Sequence, residues 1–588
     1  IWRKMVIDDL ANCLNAKQRE ICLSQDNYLI MACPGSGKTR TLTYRLAYIA
    51  DKYKESEKYN IAITYTNRAA NEIENRLLEM DVETDNVWTG TIHQFCMKFI
   101  IRPYAMYSER LKKGYTIIDE YIADSYGREI AKELGIECNF YDNPLEYPEV
   151  KQEYEKWLEE KKEIDFEQIL ILSEELVCKN KFIAENISKI IRSIQVDEFQ
   201  DTQEEQYQIL AAIVKNNKSI NIVFVGDVNQ GIYGSLGGLA KKQKQLEELF
   251  QVSIKKEYLS GCYRSTQRIV DYYKNFEIVD TGVFCSRDEL KDEKGIICLN
   301  NTLEKDKLID CICDIINKEI KLGVPEEEIC VVAPQWGLIF ETAEKLKKKM
   351  PDQNFDAPEI SPFKRDQLNP FYLLARLLYT DPGKNTYIRK KIAKEIIEIL
   401  KEEYHIGIDE KIDSYYLLRS INSYKNPQEE GLIYFENCIK YVLVCIKINL
   451  EDEIELNDTF EAFIQKSKER IKRYKIENTN AAIKACFHER HGIVLSTIHG
   501  VKGEEYTTVI AFGLLNGYLP HWDYICKSEK KVVRNVETKK ILYVLGSRAK
   551  KNLYLFSERG RTTNKGYEYV MTDELRAVSF KYDMGEEI

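Results

Sequence analysis

Residues 28–39 read YLIMACPGSGKT, a five-residue apolar run followed at once by a loop of small residues. No other stretch restricts the fold as tightly. A loop of this kind must leave a strand and open a helix. Its backbone N–H groups have to converge on an anion, and the helix N-terminus has to point at it. Ala32, Cys33, Pro34, Gly35, Ser36 and Gly37 form the loop, Lys38, Thr39 and Arg40 follow, and TLTYRLAYIADKY continues as a helix. Lys38 supplies a point charge for the β- and γ-phosphates of a nucleotide, and Thr39 offers a hydroxyl to Mg²⁺. Ala32 stands where the strict pattern G-x-x-x-x-G-K-[ST] has its first glycine, so the pattern is missed by one residue.

Strand-like runs followed by helix-like runs recur in two places. Near the start come YLIMA, NIAITYTN and GTIHQF, then SIQVDEFQD and INIVFVGD, two apolar runs ending in acids. A second alternation begins near Tyr263 and includes EICVVAPQ, HGIVLSTIHG, TTVIAFG and NLYLFSERG. This β-loop-α pattern predicts parallel sheets with the active loops at the strand C-termini. Two α/β cores are therefore expected. A chain of 588 residues is also too long for one hydrophobic core. Two mainly helical insertions lie between the strand runs, over about 103–189 and 369–485. The second contains FIQKSKERIKRYKIEN, whose cations read either as a solvated helix face or as a nucleic-acid contact.

Hydrophobic residues make up 44% of the chain and charged residues 31%, a globular composition rather than a disordered one. The formal net charge of −10 gives no global field for nucleic acid, so such a role needs local basic surface. No apolar run reaches membrane-spanning length, and the first residues, IWRKMVIDDLANCLN, do not read as a signal peptide. The first residue is Ile1 rather than Met, which leaves the true start open. Sixteen scattered cysteines, with no C-x-x-C, fit a reducing cytoplasm. Cys486, His488 and His491 are the tightest metal-like group, but a fourth ligand at zinc spacing is missing, so a buried Cys beside two surface His is the reading preferred.

The acidic run Val196-Asp197-Glu198-Phe199-Gln200-Asp201 ends an apolar strand. Beside a phosphate loop it predicts Asp197 as a Mg²⁺ holder and Glu198 as the general base that polarises water.

Together these stretches resemble a superfamily 1 helicase of the UvrD/Rep/PcrA type, in the family's order and over nearly the whole chain. LNAKQ resembles the Q motif, which implies that Gln18 reads the adenine edge. ITYTNRAANEI and GTIHQF resemble motifs Ia and Ib, DFEQIL another family stretch, and VDEFQDTQ motif II. VGDVNQ resembles motif III, with Gln230 as γ-phosphate sensor. GCYRST resembles motif IV, with Tyr263 stacked on adenine and Arg264 at the γ-phosphate. LSTIHGVKGEEY resembles motif V, with Glu505 near the ribose, and ETKKILYVLGSRAKKNLYLF motif VI, with Arg548 as second arginine.

The resemblance implies an α/β fold of two RecA-like parallel-sheet motor domains with two small, mainly helical insertions. Motor domain 1A would cover 1–102 and 190–260, and insertion 1B 103–189. Motor domain 2A would cover 261–368 and 486–588, and a reduced insertion 2B 369–485. It implies ATP and Mg²⁺, and a 3′ to 5′ translocase or helicase on single-stranded DNA or a 3′-tailed duplex, in bacterial repair or anti-phage defence. Thr64, Tyr65, Asn67, His93, Tyr233 and His499 are the implied DNA contacts. One departure stands out. The family pattern near Q-S-I-Y-R-W-R-G reads here Gln230-Gly231-Ile232-Tyr233-Gly234-Ser235-Leu236-Gly237, without its arginines and tryptophan. Aromatic stacking on a base is worth about 1–3 kcal/mol, so the grip on a strand is expected to be weakened there. That keeps open a second expectation: an ATPase subunit that senses DNA or nucleotide for a partner nuclease and unwinds little, similar in plan to the small UvrD-like subunit of Gabija. Only 40 residues follow Arg548 (588 − 548), too few for a fused nuclease.

Overall fold

The computed structural model describes residues 13–80, 82, 85–118, 120–138, 143–232, 238–356, 362–363, 369–380, 386–402, 404–474, 476–487, 492–521, 531–563 and 565–583. The chain divides into two compact units, Ile1–Gln353 with Ile493–Ile588, and Asn354–Gly492.

The first unit holds two parallel sheets. Strands β1 (Tyr28–Ala32), β2 (Tyr59–Thr64), β3 (Val87–Thr91), β4 (Ile191–Asp197), β5 (Asn221–Gly226) and β6 (Lys255–Leu259) form one sheet in the order β3-β2-β4-β5-β1-β6. Every neighbouring pair is parallel, for example Tyr28↔Val223 on one side of β1 and Tyr28↔Lys255 on the other. The central strands are apolar on both faces because helices cover both: Leu29, Ile30, Ile61, Ile194 and Phe224 are all fully buried. Helices α1 (Ala16–Leu23), α2 (Lys38–Lys52) and α3 (Asn67–Glu79) belong to this cover. Arg45 of α2 is buried with them, its guanidinium donating to Ser24 O and to Asn221 Oδ1 at 2.7 Å each.

Strands β7 (Ile297–Asn300), β8 (Ile329–Ala333), β9 (Ile493–Thr497), β10 (Tyr506–Ala511) and β11 (Ala549–Phe556) pair in the second sheet in the order β7-β11-β10-β8-β9, again all parallel. Helix α4 (Trp336–Lys349) follows β8. A buried carboxylate, Glu319, ties the sheet to its helical cover: it accepts hydrogen bonds from Thr508 Oγ1, Asn552 Nδ2 and Tyr554 OH at 2.7–3.0 Å.

Between β3 and β4 the chain makes helices Glu120–Glu133, Pro148–Glu160, Phe166–Lys179 and Lys181–Ile190. Ile118, Ile130, Val150, Tyr154 and Leu158 give this region its own small core. Asp165 caps the Phe166 helix by accepting Gln168 N–H at 2.8 Å, and its other oxygen accepts Tyr154 OH at 2.8 Å.

The second unit is helical: Pro370–Leu378, Thr386–Glu402, Ser414–Ser423, Gly431–Cys445, Ile454–Tyr474 and Asn480–Ala485. Phe363, Phe371, Phe435, Phe460 and Phe463 fill its core, with Phe363 and Phe463 stacked at 5.5 Å. The unit runs over 354–492, wider at both ends than the 369–485 read from the sequence. Residues 463–474 of the basic stretch FIQKSKERIKRYKIEN lie in the Ile454–Tyr474 helix, and 476–478 follow its end. Among the described residues, no helix is long and apolar enough to cross a membrane.

Candidate active site

The phosphate loop leaves β1 and opens α2, as the sequence predicts. Gly35 (φ +68°) and Gly37 (φ +77°) are left-handed, a conformation that glycine adopts without steric cost. Gly35 is also a close-approach point. A Cβ there would sit 2.5 Å from Arg264 Cβ, and Gly35 O accepts Tyr263 N–H at 2.9 Å. The loop after β6 is thus laid directly on the phosphate loop. Ser36 Oγ is buried without a hydrogen-bond partner among the described residues.

Helix α1 approaches from the other side. Asn15 and Gln18 form a reciprocal capping box: Asn15 Oδ1 accepts Gln18 N–H and Gln18 Oε1 accepts Asn15 N–H, both at 2.9 Å. The box holds the Gln18 side chain so that Nε2 donates to Ser36 O at 2.9 Å. Asn15 Nδ2 also donates to Tyr263 OH at 2.8 Å. Gln18 and Tyr263, 245 positions apart (263 − 18), therefore flank one end of the loop. Asn15 joins them, a role the sequence reading missed although the spacing N-x-x-Q was there to be seen.

The carboxylates come from the ends of β4 and β5. Glu198, the residue after β4, is held at φ +54°, an uncommon conformation for a residue with a Cβ and one that costs roughly 1–3 kcal/mol. Lys38 Nζ lies 3.0 and 3.2 Å from the two Glu198 oxygens. Burial works against the Glu198 charge, but Lys38, Lys502 and the Gln200 amide outweigh it and hold the carboxyl well below its usual range. Asp197 shows the opposite balance. Burial and the adjacent Glu198 charge push it up, and Lys38 offsets only part. Asp227, after β5, is fully buried and raised to about 6 for the same first reason.

The second sheet adds cations. Arg548 is buried, and its Nη2 donates to Gln230 Oε1 at 3.0 Å. Gln230 Nε2 in turn donates to Asp227 Oδ2 at 2.8 Å. Arg264 Nη1 donates to Ser547 O at 2.9 Å, and its Nε donates to Glu505 at 2.6 Å. Glu505, expected near a ribose, here partners Arg264. Lys502 Nζ lies 2.5 Å from Asp201 Oδ2, with both groups buried. Gln200 connects the two acidic strand ends: its Nε2 donates to Glu198 and Asp201, and its Oε1 accepts Asp227 N–H at 3.0 Å. Asp227, Gln200, Asp201 and Lys502 were not singled out from the sequence. The acid in VFVGD at a strand end was the available signal for Asp227.

A magnesium nucleotide fits these donors. The glycine cradle, the orphaned Ser36 hydroxyl and the N-terminus of α2 suit phosphate. Asp197 and Asp227 are buried and Glu198 half-buried, and all three share Lys38, an excess of negative charge that a divalent cation would relieve. Among the described residues, no group of three His, Cys, Asp or Glu forms a metal cage. His488 and His491 lie outside the described residues, and Cys486 Sγ donates to Ala482 O at 3.4 Å.

The expected strand-binding residues are more dispersed. Thr64 is buried, and its hydroxyl donates to Thr66 O at 2.9 Å. Tyr65 is 41% exposed, and Asn67 begins α3 half-buried. His93 packs edge-on against Phe166 at 5.5 Å and is pushed down to about 4 by burial. His499 is also pushed down, by burial and then by Lys502. Tyr233, with Gly234, Ser235 and Leu236, lies outside the described residues.

Family models locate these features in known proteins. A UvrD/REP helicase N-terminal domain matches residues 14–147 and 132–251, and a UvrD-like helicase C-terminal domain matches 448–560. Among curated relatives, the ATP-dependent DNA helicase PcrA of Leuconostoc citreum is 29% identical over 45% of this chain and 39% of its own length. The protein of the same name from Staphylococcus epidermidis is 24% identical over 92% of this chain and 83% of its own length. That of Staphylococcus aureus strain Mu50 is 24% identical over 93% and 83%.

Proposed function

The chain belongs to the UvrD/Rep family of superfamily 1 helicases, and from that premise we propose that it is an ATP-hydrolysing DNA helicase working 3′ to 5′ along a single strand. One observation carries the reading: Lys38 pairs with Glu198 on the first sheet, Arg264 lies on the phosphate loop with its guanidinium on Ser547 O and Glu505 of the second, and Arg548 reaches Gln230 from the second.

Lys38 exchanges the Glu198 carboxylate for phosphate oxygens when nucleotide binds. Released from that ion pair, Glu198 rises toward the ordinary carboxylate range and can take a proton from the attacking water. Thr39 and Asp197 are the residues that would hold Mg²⁺, which supplies neutralising charge to the phosphates. Gln18 and Tyr263 orient the base. Gln230, tied to both Asp227 and Arg548, is suited to report the γ-phosphate to the second sheet. Arg264 and Arg548 contribute positive charge where it develops on the transferred group. Lys502 and Arg548 come from the second sheet and the acids with Lys38 from the first, so the full charge complement forms only when the sheets close on each other. Hydrolysis then weakens that closure and converts chemistry into motion.

In this reading the first sheet is motor domain 1A, the second 2A, the helices between β3 and β4 insertion 1B, and the helical unit a reduced 2B. Tyr65, Asn67, His93, Tyr233 and His499 contact the strand, Thr64 supports them, and the protein works in the cytoplasm in repair or defence. A second reading is favoured by one observation, the replacement of the family's arginines and tryptophan by Gly234, Ser235 and Leu236. It is an ATPase subunit that regulates a partner nuclease and unwinds little.

Steady-state ATP turnover, with and without single-stranded DNA, tests the proposal. Lys38→Ala and Glu198→Gln should abolish turnover, and DNA should stimulate the wild type. Unwinding of a 3′-tailed but not a 5′-tailed duplex supports the motor. Turnover that DNA leaves unchanged, without unwinding, supports the regulatory subunit.

A further inference from the structure

The second sheet has two edges with different surroundings. Arg548 and Glu505, just before β11 and β10, occupy the edge where the strands begin, and that edge serves the nucleotide site. At the opposite edge, where the strands end, the chain exposes two aromatic rings. Trp336 and Phe340 are 44% and 42% exposed, one turn apart at the start of α4. Their ring centroids are 5.9 Å apart with an interplanar angle of 32°. Burying a Trp normally stabilises a fold; here both rings are left partly open, side by side.

The position is set by the sheet. Ala333 of β8 pairs with Thr497 of β9, so Trp336 and His499 emerge from adjacent strand ends. The loop after β10 supports the base of α4: a Cβ on Gly513 would meet Leu338 at 2.8 Å and Pro334 at 3.5 Å. Cations gather at the same edge. Arg559 and Arg561 follow the end of β11, and Lys305 follows β7, its N–H donating to Arg559 O at 3.0 Å. Lys345, which hydrogen-bonds Glu341 beside Phe340, acts with Arg561 and Lys305 to hold that carboxyl below its ordinary range despite partial burial. Open aromatic rings flanked by cations are what a single strand needs: bases stack on the rings, and phosphates meet the charges.

We propose that Trp336 and Phe340 form a base-stacking platform for single-stranded DNA at the strand-end edge of the second sheet. The proposal rests on the helicase reading above and names where this chain gains hold, given that it lacks the aromatic and arginine side chains at 234–236. The platform is sequence-tolerant, because every base offers a flat face, and the exposed Lys305 and Arg559 make binding fall with salt, whereas Arg561 is paired with the buried Glu558.

The test uses the full chain, a fluorescent oligothymidylate and an abasic strand of the same length, read by anisotropy. Trp336→Ala should weaken oligothymidylate binding about 5- to 150-fold, the range that stacking on one base implies. Trp336→Phe should keep most of the affinity. On the abasic strand, wild type and Trp336→Ala should bind alike. If Trp336→Ala binds oligothymidylate within twofold of wild type, or loses as much on the abasic strand, the platform is wrong and the rings serve another partner. If the wild type binds neither strand while still turning over ATP, the strand-motor reading falls with it.

Discussion

The two parallel sheets of the first unit share an architecture but carry opposite charge roles. The first ends its strands in acids: Asp197 is the last residue of β4, Glu198 follows it, and Asp227 follows β5. Its own cation at these acids is Lys38, paired with Glu198. The second sheet sends Lys502 and Arg548 into that acidic region, with Lys502 against Asp201 and Arg548 against Gln230. Neither sheet can balance the site alone. An enzyme built this way depends on the facing of its two sheets, because burial raises the cost of every charge that is not met from the other side.

Arg264, on the loop after β6, spans the two sheets by donating to Ser547 O and Glu505 of the second, so its removal is expected to have the largest effect. Arg264→Ala should lower kcat by about 10³-fold, the lower end of what an arginine at a transferred phosphoryl group contributes, while nucleotide binding by fluorescence titration persists. A loss below about tenfold would mean that the first sheet catalyses by itself. Next in size is the buried cross-sheet ion pair. Lys502→Met leaves Asp201 without its cation and should destabilise the protein by about 3–5 kcal/mol in denaturant unfolding. Adding Asp201→Asn should restore much of that loss. No recovery in the double variant would show that Lys502 matters through packing.

The smallest effect separates charge from shape at the two histidines expected to meet DNA. His93 follows the first sheet's β3 and His499 the second sheet's β9, and burial favours the neutral form of both. His93 falls to about 4 from an ordinary 6.5. The unfolded chain therefore binds more protons than the folded one between those values, and stability falls as pH drops through that window. His93→Gln should remove about 1–2 kcal/mol of the loss between pH 7 and pH 5, read from unfolding midpoints at the two pH values. An unchanged pH slope would place the His93 ring in solvent-like surroundings.

Much of this site could be read locally. A glycine loop after YLIMA, an acidic pair after SIQV and an arginine before AKKNLYLF each announce themselves within a dozen residues. Their chemistry depends on where a strand ends, and strand ends are visible as the last residue of an apolar run. The partnerships were not legible in the same way. Asn15 with Tyr263, Gln200 with Asp227 and Lys502 with Asp201 join residues 248, 27 and 301 positions apart. Trp336 reads in sequence as one more apolar residue of a helix, and only its exposure marks it.

By itself, then, the sequence determined the parallel-sheet class, the phosphate loop and the order of the motifs, because glycine geometry and strand periodicity act over a few residues. The tertiary structure decided which cation meets which acid, that Glu505 partners Arg264, and which edge of the second sheet faces the acids of the first and which presents open aromatic rings. Those outcomes follow from the pairing order β7-β11-β10-β8-β9 and from burial, which depend on contacts across the whole unit.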